Sequence, residues 1–233
     1  PIVFWVQDLW PETLSAVKFS KSKIISYTIG LLVRWTYKNC DKILVQSRAF
    51  LKPVSLRGAK RNKIIYLPNW AESFYIPKLS NDKALIKLFS NKNFNIVFAG
   101  NLGAAQSLET ILKAAEILKE ESIKWIIIGD GRRREWFKEM IIKNNLQKKF
   151  IFLGSKPAKK MPEYFSHADA LLVTLSSDPI FSLTIPGKVQ SYLACGKPII
   201  AALDGEGAMV IKKSGAGISV KSEDYKNLAK ATL

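Results

Sequence analysis

The stretch Asn95-Ile96-Val97-Phe98-Ala99-Gly100-Asn101-Leu102-Gly103-Ala104-Ala105-Gln106-Ser107-Leu108 decides how this chain is read. Ile96–Ala99 run without a polar interruption and stop at a glycine, the pattern of a strand buried on both faces. Beyond the loop, Leu108, Ile111, Leu112, Ala115 and Leu118 recur at helical spacing and form one apolar stripe. Strand, glycine loop and amphipathic helix follow in that order, as in a βαβ unit.

Working outward, the cycle repeats. Trp125–Ile128 is the next strand and 133–144 the next helix. Further strands are expected at Phe150–Leu153, Ala170–Thr174, Ile199–Ala202 and Gly217–Val220. Doubly apolar strands alternating with helices predict an α/β domain with a doubly wound parallel sheet of about six strands. Toward the start of the chain, a strand at 2–6, a long helical stretch at 13–38, a short helix around 49–51 and strands at 43–45 and 63–67 predict a second domain of the same kind, cut short. Residues 71–93, with Pro77, Ser80, Asn81 and Asp82, carry little strand pattern and read as the crossing, which divides the chain into 1–78 and 79–233. With no Met at position 1 and a helical pattern still running at Leu233, the chain is expected to be a piece of a longer protein.

Composition narrows the chemistry. The 233 residues hold 36 Lys+Arg against 19 Asp+Glu, a net charge of +17, with one His and two Cys. Cys40 and Cys195 make no disulfide framework, and a single His removes His-rich metal sites. The surplus charge calls for an anionic partner or is simply tolerated. It is spread along the chain, whereas a nucleic-acid surface would cluster its cations with interleaved aromatics.

Ligands of open parallel sheets bind outside the carboxyl ends of the strands, and three such loops stand out. Gly100–Ser107 lets the backbone approach a ligand at a helix N-terminus, or is a plain tight turn. Gly129-Asp130-Gly131, followed by Arg132, Arg133 and Arg134, fits either a turn or a site. In the third, Pro186 and Gly187 open a helix and place Lys188 in its first turn, where a cation opposes the helix dipole unless an anion shares the site. In the first part, Asp8 and Glu12 follow a strand, so either can orient a hydroxyl, while Glu12 also suits a first helical turn. His167 precedes its strand, far from the carboxyl end, and reads as structural. No Asp-x-Asp occurs, so a diphosphate, were one bound here, would be neutralised by Lys, helix ends and backbone N–H and not by a bound cation.

Taken together, strand–Gly-Asn-Leu-Gly–helix, Ile-Ile-Gly-Asp-Gly, Phe-Leu-Gly and Pro-Gly-Lys-x-x-x-Tyr-Leu-Ala-x-Gly-Lys-Pro resemble the nucleotide-sugar half of GT-B glycosyltransferases of family 4, over residues 94–220. Val6-Gln7-Asp8-Leu9-Trp10-Pro11-Glu12, with Leu67-Pro68-Asn69, is similar to bacterial fucosyl- and acetylfucosaminyl-transferase-like members. The resemblance implies a GT-B fold of two Rossmann-like domains, acceptor side first, donor side second. It implies retaining, metal-independent transfer of a fucosamine-type sugar from a UDP-linked nucleotide sugar in surface polysaccharide biosynthesis, with no cofactor. Gly100, Asn101, Gly103 and Lys188 would face the diphosphate; Gly131, Gly154, Ser155, Gln190 and Ser191 the ribose and base; Pro186 and Gly187 the donor sugar. Asp8 and Glu12 would be the catalytic pair. Leu183 and Ser191 stand where the family often has Glu, and Ala104-Ala105-Gln106 where it usually has Arg or Lys.

The implied acceptor is carried on a polyprenyl diphosphate, which places the protein in the cytoplasm, peripheral on the inner face of the membrane. Residues 18–35 suit that: Lys18, Lys21, Lys23 and Arg34 flank an uncharged Ile24–Val33 too short to span a bilayer. The same stretch also reads as a helix packed within the first domain. Competing readings are a nucleotide-sugar epimerase of the same fold and a non-catalytic basic membrane- or nucleic-acid-binding module. The favoured reading has no nucleic-acid partner.

Overall fold

A computed structural model describes residues 1–17, 22–89 and 92–233, which divide into two compact units. The first holds β1 (Val3–Val6), α1 (Glu12–Ala16), α2 (Lys23–Asn39), β2 (Lys42–Val45), α3 (Leu51–Leu56) and β3 (Ile64–Tyr66). Its three strands lie parallel in the order β1-β2-β3, with Phe4 opposite Ile43 and Val45 opposite Tyr66. Ile43, Val45, Phe50 and Val54 are fully buried and form its core. The helical stretch expected at 13–38 is two helices. α2 starts at Ser22, whose hydroxyl accepts the Ile25 N–H and so satisfies one of the open donors of a first turn. Lys18 and Lys21 lie outside the described residues.

The second unit contains α4 (Lys83–Leu88), β4 (Phe94–Ala99), α5 (Leu108–Ile117), β5 (Ile123–Ile128), α6 (Arg134–Lys143), β6 (Phe150–Gly154), α7 (Met161–Ser166) and β7 (Ala170–Thr174). After an excursion through α8 (Pro179–Ser182) it continues with α9 (Gly187–Ala194), β8 (Ile199–Ala202), α10 (Gly205–Ser214), β9 (Gly217–Val220) and α11 (Tyr225–Thr232). All six strands are parallel, in the order β6-β5-β4-β7-β8-β9. The chain therefore winds outward from β4 on one side and returns to β7 on the other. That reversal of strand order makes a crevice beyond the carboxyl ends of β4 and β7. Trp125, Ile127 and Phe137 pack with Phe98 and Ile111 in the core, and Phe137 meets Phe150 edge-on at 5.6 Å.

The first unit runs to Asn69 and also takes in residues 177–185 and 205–207; Trp70 onward belongs to the second. The expected crossing at 78/79 thus falls inside the second unit's share of the chain. Tyr75 stacks on Phe165, 6.4 Å between ring centres, and Lys78 pairs with Glu163 at 2.8 Å. An aromatic anchor and an ion pair hold a segment that looks structureless in sequence. Residues 83–88 within it form a helix because Asp82 caps the Ala84 and Leu85 amides.

Candidate functional site

At the switch point of the second sheet, the loops that follow β4, β5 and β6 are laced together by their backbones. Gly100 N–H donates to Ile128 O (2.9 Å), Gly129 N–H to Gly154 O (2.9 Å), Leu102 N–H to Asp130 O (2.8 Å) and Arg133 N–H to Leu102 O (2.9 Å). This lacing needs glycine. A Cβ on Gly129, whose φ is +135°, would stand 1.9 Å from Gly100 O, and one on Gly131 would stand 2.4 Å from Asn101 Oδ1 and 2.6 Å from Leu102. The family resemblance puts Gly131 beside a ribose or base; the structure gives it this packing role. Gly154 has φ +66° with open space around its missing Cβ, and Ser155 after it is exposed.

Lys188 is brought to the same place from the other side of the sheet. Its Nζ donates to Gln106 Oε1 at 2.6 Å, lies 4.0 Å from the centre of the Phe98 ring, and comes within 3.2 Å of where a Gly100 side chain would begin. Among the described residues, no carboxylate forms an ion pair with it. Burial pushes the amine down to about 7, because desolvation disfavours the charged form and nothing opposes it. Lys188 therefore lies beside Gly100, and Asn101 lies beside Gly103 in the same loop. An ammonium beside glycine backbone, without its own counter-ion, is suited to an anion.

The start of α9 carries the remaining candidate residues of this unit. Pro186 precedes the helix without a side-chain cap, and Gly187 faces open space. Gln190, with its amide nitrogen turned inward, donates to Pro186 O (2.7 Å) and Gly187 O (3.1 Å). Ser191 Oγ donates to Gly187 O at 3.3 Å and bonds the Tyr75 side chain. Two residues that the sequence did not single out hold the arrangement. Tyr192, 1% exposed, bonds both backbone groups of Ala99 and pins α9 to the end of β4. Gln106 holds Lys188, and its own carbonyl accepts the Thr174 hydroxyl at 2.5 Å. Tyr192 lay inside the quoted Tyr-Leu-Ala motif; Gln106 was visible only as a missing cation.

The other sequence candidates sit elsewhere. Arg133 makes a two-point ion pair with Glu109 (2.6 and 2.9 Å) and covers the Trp136 ring, so it is committed to packing. His167 precedes β7 and stacks on Phe89, as a structural histidine does. In the first unit, a cavity of about 350 Å³ is walled by Trp5, Trp10, Val33 and Tyr37, among others, and Asp8 lines it. Asp8 is exposed at the mouth, yet the apolar walls exclude enough water to raise its carboxyl above the ordinary carboxylate range. Glu12 is ion-paired with Arg57. Among the described residues no three His, Cys, Asp or Glu are grouped to hold a metal ion, and no helix is long and apolar enough to cross a membrane.

Two parallel-sheet units with a glycine-laced switch point define an α/β protein of the GT-B kind. Anabaena HepE, solved in complex with UDP, superposes with a TM-score of 0.77 at 16% identity, covering 100% of this chain and 61% of that one. WaaG, a glycosyltransferase involved in lipopolysaccharide biosynthesis, gives 0.73 at 11% identity over 98% of this chain and 64% of its own. The family described as glycosyl transferases group 1 matches residues 81–233, and the chain belongs to it. Among curated relatives, the probable glycosyltransferase WbjE of Pseudomonas aeruginosa is 27% identical over 235 residues, 98% of this chain and 58% of that protein. WcaI of Escherichia coli (strain K12), named for colanic acid biosynthesis, is 26% identical over 164 residues, 68% of this chain and 39% of that protein. The chain spans about half the length of these relatives.

Proposed function

We propose that this chain carries the donor site and part of the acceptor side of a retaining, metal-independent glycosyltransferase of polysaccharide assembly, with a UDP-linked sugar as donor. The observation that carries the reading is the Lys188 amine, held at the glycine loop with no carboxylate paired to it among the described residues. HepE, which shares the fold, has been solved with UDP-glucose, and WcaI is named for colanic acid biosynthesis; both support the donor and pathway class. In this reading Gly100, Asn101, Gly103 and Lys188 receive the diphosphate, Gly131, Gly154, Ser155, Gln190 and Ser191 surround the nucleoside, and Pro186 and Gly187 border the sugar. The fucosamine-type sugar is carried by the resemblance alone.

On the acceptor side, Asp8 is the favoured group for orienting a hydroxyl, because Glu12 is engaged by Arg57. A polyprenyl-diphosphate acceptor at the inner membrane face is supported by α2, which exposes Ile24, Tyr27, Leu32 and Trp35 beside Lys23 and Arg34. Such a mixture suits an anionic interface.

Thermal unfolding with UDP and with GDP, each in EDTA and then with magnesium, tests the reading. Ligand at 100 times its Kd adds about 2.7 kcal/mol. Stabilisation in EDTA that disappears in Lys188→Ala is the expected result. A folded protein that responds to neither nucleotide overturns it.

A further inference from the structure

We infer that Gln106 is a positioning residue that parks the Lys188 amine in an uncharged setting, so that a nucleotide diphosphate is bound together with one proton from solvent. The inference rests on the donor-site reading above and adds to it a linked protonation and the residue that governs it.

Among the described residues, the groups found against the amine are neutral. β4 supplies the Phe98 ring at 4.0 Å, the loop after it supplies Gly100 backbone, and the turn at Ala104–Gln106 supplies the Gln106 amide oxygen at 2.6 Å. On the lysine's own helix the neighbouring polar groups are Gln190, Ser191 and Tyr192, all uncharged, and the Tyr192 hydroxyl is taken by Ala99. Desolvation is the cause that lowers the amine, with no charged group contributing. An arriving diphosphate brings the counter-charge that is missing. A proton then moves from solvent to Nζ: an N–H bond forms on the amine, an O–H bond of hydronium breaks, and nothing is oxidised or reduced.

Gln106 is built to aim rather than to float. Its N–H donates to Gly103 O at 3.2 Å and its carbonyl accepts the Thr174 hydroxyl, so the backbone is fixed on both sides of the side chain. An amide oxygen accepts from a neutral or a charged amine and adds no net charge of its own to the site. A carboxylate at that place would hold the lysine charged at all times and repel the phosphates. Since the lowered amine regains its proton in the complex, affinity is full below pH 7 and falls as pH rises through 7. Between pH 6.0 and 8.0 the loss is roughly tenfold.

The test is calorimetric titration of the protein with UDP-glucose, then with GDP-mannose, at pH 6.0, 7.0 and 8.0 in buffers of different ionisation enthalpy. Both phosphates of these probes are diesters that do not titrate in that range. Wild type is expected to bind about tenfold more weakly at pH 8.0 than at 6.0 and to take up a proton on binding at pH 8.0. Gln106→Glu, nearly isosteric, is expected to flatten the pH dependence and abolish the uptake. Gln106→Leu is expected to keep the uptake with weaker binding. Binding with no proton uptake in wild type, or Gln106→Glu behaving as wild type, overturns the inference and leaves the donor site standing. Folded wild type that binds neither probe at any pH overturns both.

Discussion

The Tyr192 hydroxyl accepts the Ala99 N–H at 3.0 Å and lies 3.3 Å from the Ala99 carbonyl, reaching across 93 residues of sequence to the last residue of β4. The ring itself is packed edge-on against Phe165 at 5.1 Å. Burial pushes the phenol well above its ordinary range, only partly offset by the Ala99 bond, so it stays a neutral hydrogen-bonding group. Tyr192→Phe keeps the ring and removes both bonds, leaving a buried amide without its partner. We expect a loss of about 1–3 kcal/mol in denaturant unfolding. We also expect weaker nucleotide binding, because α9 carries Lys188. A variant as stable as wild type refutes the pinning role.

Two glycines separate packing from ligand contact. Gly129→Ala drives a Cβ into Gly100 O and forces φ +135° on an L residue; strain and overlap together cost roughly 3 kcal/mol or more. Gly187→Ala meets nothing within 4 Å, and its effect on stability should stay within about 0.5 kcal/mol of wild type or be favourable. If Gly187 borders the donor sugar, that methyl weakens sugar-nucleotide binding without touching the unfolding midpoint. Parallel denaturation and binding curves check both.

The two carboxylates of the first unit are expected to part in the same way. Asp8→Asn should leave unfolding unchanged and lower transfer by about 100-fold or more, the scale of a lost proton acceptor. Glu12→Gln breaks an ion pair that is partly open to solvent on both sides, which is worth about 1 kcal/mol or less, and should leave transfer within a few fold. Activity is read with sugar nucleotide and lipid-linked acceptor; the opposite ranking assigns the role to Glu12.

Periodicity carried most of the fold. Runs such as Trp125–Ile128 and the stripe from Leu108 to Leu118 can be read because a strand buried on both faces leaves no polar positions, and a half-buried helix leaves them at fixed intervals. Strand order is different: nothing in β4 or β7 says that they pair, since that is decided by the winding of the chain. The break ahead of α2 escaped because a capping serine is one residue in an otherwise continuous helical pattern. Glycines and Lys188 were legible at the site because their residue types conflict with their surroundings. Gln106 was not, because an amide after a glycine loop conflicts with nothing until the lysine from 82 positions away is set against it.

The boundary between the units is not a point on the sequence. The chain passes from one to the other five times, at 69/70, 176/177, 185/186, 204/205 and 207/208. Residues 177–185 are thus a bridge, held at one end by the strand whose Thr174 steadies Gln106 and at the other by the helix that begins with Lys188. Within the bridge, the Leu183 carbonyl accepts the Ser47 hydroxyl at 2.5 Å. A single protease cut near residue 70 would therefore sever the chain without sorting its parts. The fragment carrying the lysine would still hold a piece that belongs with the other, and the two would have a built-in reason to reassociate.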